Sequence, residues 1–600
     1  MKDIKKPLDG KSDAGWCAAL AGIAFLVAPF VSSAKTCVWN STTSSHGWND
    51  TTHWVDGNVP ADGDDVVINH SCFFDMPNGV RLRSLTFVKP DSGGIAINCG
   101  YNYKLGFLGE DGVTNICYKL DGSPAFNVNL NVQIELSGAV VVDVPANATV
   151  SFPQTVSDGE TSGSITSIGG GTLEFKVDNT FTGGVTNNSC GKLATFAGSG
   201  FGTGKVVFGP VSWTNNTYYG MIDFKNTAPI VVPNVFELQG SRGRFQDGAE
   251  NRNYLSPAVC VGTGDVTFDS NIVIHGNRCD RDSATGLYSA FRMIPTSSSQ
   301  AAATYTFNGD FYNADDYNPK IELISGAGSS IICNGKVASN AGRAGASGSF
   351  TASAGGTVEF NKAGGSPGNV QVNNYTLDLN EANMFGTYNC AFVFNGNDAT
   401  KCIVDLGGYE QKIWHVKGAG IVRGEAGSLL EVRHSGEMSS GVGAVKFSLN
   451  DGASVKFAST DIGSCHTNDW TGGTCTSTGV VELARQQEVN DKSPLLDSRL
   501  NLRGAMSLPN ISEIRVGPSC WLDVGSDVEI NHKVALTLTD DGDQKAKIVI
   551  PANKTVCVDS ITLNGVTLGA ATYTSASLPN NIVGDGSLVV VSKRTVILFR

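Results

Sequence analysis

A glycine-containing phrase followed by a short alternating strand recurs along the chain, and it restricts the fold more than any other feature. Three copies lie at residues 170–175 (GGTLEF), 355–360 (GGTVEF) and, more loosely, 451–457 (DGASVKF). Alternation places Leu173 and Phe175 on one face of a strand and Glu174 on the other. One face of each strand is therefore expected to belong to a core.

A second phrase contains a glycine pair after threonine. It reads NTFTGGVT at residues 179–186 and NDWTGGTC at residues 468–475. We expect the glycine pair to supply turn dihedrals that bulkier residues resist. Repeated turns and strands of this kind, with little helical periodicity, predict a β-solenoid in which each coil covers the apolar face of the previous one. Coils of roughly 20–29 residues are expected.

Composition supports an all-β chain and leaves one rival architecture open. The chain holds 72 Gly in 600 residues and only 16% charged residues, against averages of about 7% Gly and about 25% charged residues. Tandem antiparallel β-sandwiches could use the same short strands. Such domains should be separated by linkers, and no Pro/Ser-rich linker divides this chain. The net charge of −13 argues against nucleic acid as a partner.

The N-terminus has the features of a secretory signal peptide over residues 1–34. A basic segment containing Lys2, Lys5 and Lys6 precedes an apolar run, and small residues end it at Ala34. We expect cleavage after Ala34. The run is short for a membrane helix and no second apolar run follows, so no membrane span is expected after the signal is removed.

The fifteen cysteines are compatible with disulfides in an exported chain, but the spacing does not define their pairing. Close pairs that could form local bridges are Cys465/Cys475, Cys390/Cys402, Cys260/Cys279 and Cys99/Cys117. Buried free thiols are the alternative. The sequence contains no C-x-x-C and no Cys/His cluster with zinc spacing, so neither a metal nor a cofactor is expected.

Four segments are expected along the chain. They are the signal peptide at 1–34, an N-terminal cap with the first coils at 35–110, the solenoid at 111–590, and a terminal strand or cap at 591–600. Within the solenoid, residues 239–300 are rich in Arg and Asp and are predicted to be a loop-rich insertion. Loops on a rigid scaffold often carry function, so Arg278, Asp280 and Asp282 are candidate ligand-binding residues. In an extended strand, Asp280 and Asp282 would share one face.

Other motifs give weaker signals. Residues 364–368 (GGSPG) match the G-x-S-x-G pattern of hydrolases, but Pro367 is a poor start for the helix that the pattern requires. Residues 198–205 resemble a phosphate loop but lack its first Gly and its final hydroxyl, and they are interpreted as a glycine turn. The acidic runs at 315–316 and 540–543 are interpreted as turns. Trp39, Trp48 and Trp54 are expected to form an apolar cap rather than a sugar-binding surface.

Several segments resemble exported bacterial proteins that carry autotransporter-associated β-strand repeats. These segments are residues 48–60 (WNDTTHWVDGNVP) with 62–68 (DGDDVVI), the two Thr-Gly-Gly phrases, residues 404–413 (VDLGGYEQKI) with 418–422 (GAGIV), and the closing 569–590. Together they cover about a third of the chain. Each motif is degenerate.

The resemblance implies a right-handed parallel β-helix that is exported and displayed on, or released from, a Gram-negative-type cell. Autotransporters of this family end in a membrane barrel with aromatic girdles, whereas residues 501–600 hold three aromatic residues, Trp521, Tyr573 and Phe599. We therefore expect a passenger-like chain without that C-terminal barrel, located extracellularly, at the outer surface or in the periplasm.

No convergent catalytic set is evident in the sequence, so a structural or adhesive role is expected. Extracellular polysaccharide or cell-envelope components are the expected partners. The alternative is a β-helical polysaccharide lyase or glycoside hydrolase. That hypothesis is motivated by the Asp- and Arg-rich residues 239–300, since enzymes of this kind use clustered carboxylates and arginines.

Overall fold

A computed structural model describes residues 34–591 of the 600-residue chain with internal gaps. The gaps are residues 42–45, 91–92, 189–190, 209–220, 239–257, 276–289, 296–301, 315–319, 325–327, 338–348, 354, 387–389, 397, 399, 415, 419, 435–440, 444–445, 450–452, 460–465, 475–478, 486–497 and 509–510. The predicted signal peptide lies almost entirely outside the described residues.

The described residues form an all-β fold, with two single-turn 3-10 helices at Thr51–His53 and Val55–Gly57. The described strands form six sheets. Sheet 1 contains Thr36–Val38, Asp65–Ile68, Val80–Leu82, Ser84–Val88, Lys104–Leu108, Ile116–Lys119, Gln133–Asp143, Val156–Ile168, Val185–Asn187, Val206–Phe208, Phe236–Leu238, Ile272–Ile274 and Phe311–Asn313. Sheet 2 contains Cys72–Phe73, Ile95–Asn98, Val128–Asn131, Thr149–Phe152, Thr172–Phe175, Lys192–Thr195, Met221–Phe224, Ala258–Val261, Ala290–Pro295, Lys320–Ile324, Ser349–Ser353, Gly368–Val372, Cys390–Phe394 and Val416–Gly418.

The remaining sheets are built mainly from the second half of the chain. Sheet 3 contains Ile230–Val232, Val266–Phe268, Thr304–Phe307, Ser330–Cys333, Thr357–Phe360, Thr376–Leu379, Ile403–Asp405, Ile421–Gly424 and Lys446–Leu449. Sheet 4 contains Glu410–Ile413, Leu429–His434, Ser454–Ser459, Val480–Arg485, Glu513–Val516, Ala535–Leu538, Ser560–Leu563 and Val566–Thr567. Sheet 5 contains Gly441–Gly443, His466–Thr474, Ser498–Leu508, Cys520–Val524, Val528–Ile530, Lys547–Val549 and Ile582–Val583, and sheet 6 contains Thr555–Val558, Thr572–Tyr573 and Ser587–Val590.

Apart from two short antiparallel pairs near the C-terminus, the described strands pair in parallel, and neighbours in a sheet come from successive passes of the chain. From Met221–Phe224 in sheet 2 the chain enters sheet 3 at Ile230–Val232, then sheet 1 at Phe236–Leu238, before it returns to sheet 2 at Ala258–Val261. A parallel neighbour requires such a crossover connection. This order is compatible with a β-solenoid and differs from the antiparallel pairing of tandem sandwiches.

The number of residues in one pass varies more than the sequence predicts. Thr172 pairs with Lys192, 20 residues later, whereas Met221 pairs with Ala258, 37 residues later. The longest passes therefore exceed the predicted range of roughly 20–29 residues. The extra residues lie between strands, where the entropic cost of a longer loop grows slowly with its length.

The core forms from the inward faces predicted by alternation. In the strand Thr172–Phe175, Leu173 and Phe175 are fully buried, and in Thr357–Phe360 the buried residues are Val358 and Phe360. Buried rings of neighbouring strands pack on each other, as Phe152 and Phe175 do with centroids 5.3 Å apart. The two phrases occupy different sheets, however, so they do not mark one position in the coil.

The segment 239–300, predicted to be a loop-rich insertion, also supplies strands to the stacked sheets. Ala258–Val261, Val266–Phe268 and Ile272–Ile274 pair in parallel with strands of the preceding and following passes. The described part of this segment is therefore one pass of the same fold and the first strand of the next, Ala290–Pro295. Residues 239–257, 276–289 and 296–300 lie outside the described residues.

The two Thr-Gly-Gly phrases have different structures. Gly183 and Gly184 form a turn before Val185–Asn187, and Gly184 has φ +77°. A Cβ at Gly184 would collide with the carbonyl oxygen of Lys205 on the next pass. The second glycine pair lies inside the strand His466–Thr474, where the register against Ser498–Leu508 shifts between Thr471 and Gly473. The turn prediction is therefore correct only for the first copy.

A row of amide side chains follows consecutive strands of sheet 3. Each side-chain amide donates to the residue one pass earlier, and the row ends on a carboxylate. The bonds are Asn380 to Asn361 (2.6 Å), Asn361 to Asn334 (2.9 Å), Asn334 to Asn308 (2.9 Å) and Asn308 to Asp269 (2.9 Å). Hydrogen bonds aligned in one direction polarise one another. The row therefore fixes the stacking of five passes where the chain leaves sheet 3.

The described N-terminal residues bury the three tryptophans, which agrees with the expected apolar packing role and not with a sugar-binding surface. Trp39, Trp48 and Trp54 are 1%, 0% and 3% exposed. The indole N–H of Trp54 donates to the carbonyl of Trp48 (2.7 Å), and that of Trp48 donates to the sulfur of Cys72 (3.0 Å). Their rings are therefore packing groups and not an exposed surface for sugars.

Antiparallel strands cover two sheet edges near the C-terminus. Asn564 and Gly565 have φ +51° and +80°, the pattern of a type I′ hairpin turn, and they reverse the chain so that Val566–Thr567 pairs antiparallel with Ser560–Leu563. Thr572–Tyr573 pairs antiparallel with Ser587–Val590. These short strands cover edges that would otherwise offer unpaired backbone groups. They precede the predicted cap at 591–600, of which residues 592–600 lie outside the described residues.

Replacing Gly184 by Ala tests the close approach of successive passes. The new methyl group would meet the carbonyl of Lys205, and φ +77° disfavours any side chain. We expect a loss of about 2–4 kcal/mol in the free energy of unfolding, measured by urea denaturation. The control is Gly569→Ala, because nothing lies within 4 Å of a Cβ there. Equal stability of the two variants would contradict the proposed constraint.

Candidate functional site

The residues predicted to bind a ligand, Arg278, Asp280 and Asp282, lie outside the described residues. The same holds for the acidic pair Asp315 and Asp316 and for Cys465 and Cys475, the pair that could form a disulfide.

Nine cysteines whose side chains are described are thiols and not disulfides, including both members of the close pairs Cys390/Cys402 and Cys99/Cys117, so the alternative of free thiols holds for these pairs. Burial raises the pKa of Cys37 to about 11 and that of Cys72 to about 12. It raises the pKa of Cys333 and Cys390 even further. Because the thiolate is the reactive form, these buried thiols act as small apolar packing groups.

The acidic run 540–543 forms a turn, as predicted. The carboxylate of Asp540 accepts hydrogen bonds from the backbone N–H of Ala546 (3.0 Å) and the side-chain amides of Asn564 (3.2 Å) and Asn581 (2.9 Å). Burial alone would raise the pKa of Asp540, but these bonds lower it overall. Asp540 therefore ties three segments together through its carboxylate.

The two weak motifs have no catalytic geometry in the described residues. Ser366 lies in a loop before the strand Gly368–Val372, whereas a nucleophile elbow requires a helix after the serine. Residues 198–205 are turns followed by the strand Val206–Phe208, so the helix N-terminus of a phosphate loop is missing there.

An acidic row on the outer face of sheet 3 is the strongest candidate site among the described residues. Glu359 pairs in register with Asp378, Asp378 pairs with Asp405, and Asp405 pairs with Arg423. Their neighbours along each strand point inward, so these four side chains share the outer face. Adjacent strands are about 4.8 Å apart, which places three carboxylates and a guanidinium in one line.

The middle carboxylate of this row has a strongly shifted pKa. Partial burial and the like charges of Asp405 and Glu359 raise the pKa of Asp378 to about 6, although Arg423 acts in the opposite direction. A carboxyl with this pKa can hold or release a proton near neutral pH. The row therefore combines one carboxyl that can act as an acid with two carboxylate neighbours.

Each acidic residue of the row has a recognisable pattern within its own strand, although the sequence does not show that the three are aligned. In each strand the acidic residue stands between apolar residues, at positions 358–360 (VEF), 377–379 (LDL) and 404–406 (VDL). The unequal spacing along the sequence conceals that these residues are aligned. Among the described residues, no group of three His, Cys, Asp or Glu side chains is arranged to hold a metal ion.

Comparisons of the chain with protein-family models, curated proteins and solved structures gave no match. In the part of the chain that the structure describes, no helix has the length and apolar character needed to span a membrane.

Replacing Asp378 by Asn tests the charge repulsion in the acidic row. The folded-state pKa of Asp378, about 6, lies above the ordinary value of about 3.9 for an aspartate. Protonated Asp378 therefore stabilises the folded protein fully below pH ~4, and this stabilisation is lost as the pH rises through ~6. An asparagine side chain mimics the protonated carboxyl at this position. We expect Asp378→Asn to stabilise the protein by about 1 kcal/mol at pH ~8, allowing for solvent screening, and by almost nothing at pH ~4.

Thermal unfolding at the two pH values measures this difference. The control is Glu425→Gln, which removes one negative charge from an exposed turn. A stabilisation by Asp378→Asn that is the same at both pH values would contradict the repulsion between the three carboxylates.

Proposed function

We propose that the chain is an exported β-solenoid of the cell surface or the extracellular space, with a structural or adhesive role. The observation that carries this proposal is the repeated parallel winding of the described chain, whose buried apolar rows build an extended scaffold. Repeat folds of this kind present long regular surfaces suited to binding extended partners. Extracellular polysaccharide and cell-envelope components are the proposed partners.

The proposed winding is right-handed, because connections between parallel strands in one sheet are right-handed in about 98% of known cases. The resemblance to proteins with autotransporter-associated β-strand repeats supports the same handedness and the export of the chain. The basic and apolar segments of residues 1–34 support export independently.

Cleavage of a polysaccharide is the second candidate function, and the acidic row favours it. Retaining glycosidases hold two carboxyl groups about 5–5.5 Å apart, comparable with the spacing of about 4.8 Å between adjacent strands. In this alternative, Asp378 is the general acid and Glu359 or Asp405 is the second carboxylate. The four aligned residues are further candidates beside Asp280 and Asp282, which lie outside the described residues.

Export is tested by producing the full-length chain in a Gram-negative host and sequencing the N-terminus of the product. We expect the mature chain to begin at Lys35 and to be found outside the inner membrane. Leu26→Arg, which interrupts the apolar run, should block export, whereas Lys11→Arg should not. An uncleaved product in the cytoplasm would contradict the proposal.

The two candidate functions are separated by incubating residues 35–600 with neutral and acidic polysaccharides. Bound protein and newly formed chain ends are both recorded. Retention without new chain ends is expected for an adhesive scaffold. Cleavage that disappears in Asp378→Asn would favour the enzyme, because that substitution removes the only ionisable group of the residue without changing its shape.

A further inference from the structure

Three outward-facing residues of sheet 5 form a row of opposite character to the acidic row. Arg499 pairs in register with Trp521, and Trp521 pairs with Lys547. The neighbouring pairs involve Leu522, which is buried against Leu500 on one side and Ile548 on the other. Because side chains alternate along a strand, Arg499, Trp521 and Lys547 lie on the outer face.

The indole ring holds both cations beside it. The Lys547 ammonium nitrogen is 4.2 Å from the ring centroid, and the Arg499 guanidinium carbon is 5.5 Å from it. Cation–π contacts at exposed sites are individually weak. These contacts are weaker than a hydrogen bond from a cation to a carboxylate, so they order the side chains without preventing them from binding an anion.

A second arginine enlarges the positive surface. The Asp523 carboxylate accepts from Arg499 (2.5 Å) and from Arg503 (3.0 Å), and its side chain is only 10% exposed. Burial alone would raise the pKa of Asp523, but its two arginine partners lower it overall. Both arginine side chains remain about a third exposed, at 33% and 39%.

The described side chains of this surface therefore carry three positive charges and one negative charge, in a chain of net charge −13. Asp469, whose side chain is not among those described, pairs in register with Asn501 and not with Arg499, the residue beside the indole ring. Among the described side chains, cations are therefore in local excess.

We propose that Arg499, Trp521, Lys547 and Arg503 form a binding surface for a carboxylate-bearing polysaccharide. This inference rests on the proposed function and specifies the ligand class of the adhesive scaffold. Arg499 and Lys547 lie two strands apart, about 9.6 Å, so they can contact separate uronate carboxylates of one extended chain. Guanidinium binds carboxylate through paired hydrogen bonds, which gives Arg499 and Arg503 a geometric preference for this group.

A regular polymer of sugars fits this surface better than a nucleic acid does. Duplex DNA carries one charge per about 1.7 Å, a density that three cations spread over three strands do not match. A polyuronate carries one carboxylate per sugar ring, and its repeat is comparable with the spacing of the strands.

The test measures binding of the mature chain, residues 35–600, to polygalacturonate by calorimetric titration at low and physiological salt. Methyl-esterified polygalacturonate is the matched uncharged polymer, and single-stranded DNA is the matched polyanion. Lys547→Gln removes one cation while leaving the pairing of Asp523 with both arginines intact. Arg499→Gln/Lys547→Gln removes both neighbours of the ring. Lys401→Gln is the control, because it removes an exposed cation beside sheet 3.

We expect wild-type protein to bind polygalacturonate, with weaker binding at higher salt, and to leave the esterified polymer unbound. Lys547→Gln should weaken binding roughly threefold and the double variant roughly tenfold, while Lys401→Gln stays within about twofold. Thermal unfolding of each variant identifies loss of folding. If the double variant unfolds at a lower temperature, the comparison of Lys547→Gln with Lys547→Arg decides the outcome. Lys547→Arg keeps the positive charge and should bind like wild type, whereas Lys547→Gln should bind more weakly.

Equal binding of the esterified polymer, unchanged affinity of Lys547→Gln, or tighter binding of DNA would overturn the inference. Each of these results leaves the export experiment unaffected. Binding of the polysaccharide elsewhere on the chain would contradict the inference about this surface but would still support the proposed adhesive role. An uncleaved cytoplasmic chain would remove the proposed function itself.

Discussion

The structure depends on the register between parallel strands of successive passes. Val358, Leu377 and Val404 stack inside the chain because they are paired in register, and their burial fixes which residues face outward. A slip of one residue would move the whole inward row to the surface. The apolar core therefore specifies the outer rows, including the acidic row, although these side chains contribute little to the core themselves.

Between the strands, residue type and backbone conformation are restricted at a few positions, whereas the length of the other loops can vary. Gly184 cannot carry a side chain because the next pass lies against its Cα. At other corners, buried amide groups bind the backbone. Asn179, for example, accepts from the N–H of Val156 and donates to the carbonyl of Gly200. Loops that leave these contacts intact can vary in length, which explains how passes of 20 and 37 residues stack in one sheet.

Local alternation can be read from the sequence, whereas alignment between passes cannot. Leu173 and Phe175 point inward as predicted, because alternation is a property of a single strand. The acidic row is hidden in the sequence because its members are separated by unequal numbers of residues. Similar sequence motifs do not mark equivalent positions for the same reason, since Thr172–Phe175 belongs to sheet 2 and Thr357–Phe360 to sheet 3. Close spacing of cysteines likewise does not predict a disulfide, because Cys390 and Cys402 are both thiols.

The two charged rows on the outer faces are stabilised to different degrees. In the acidic row, the carboxylates repel one another, and Asp378 responds by keeping its proton up to a pH near 6. In the basic row, Trp521 separates Arg499 from Lys547, and Asp523 partly neutralises the two arginines. The cations are therefore held in place at little electrostatic cost and keep exposed donors. A surface that is ordered before an anion arrives loses less side-chain entropy on binding, which is the physical reason to expect a ligand at the basic row.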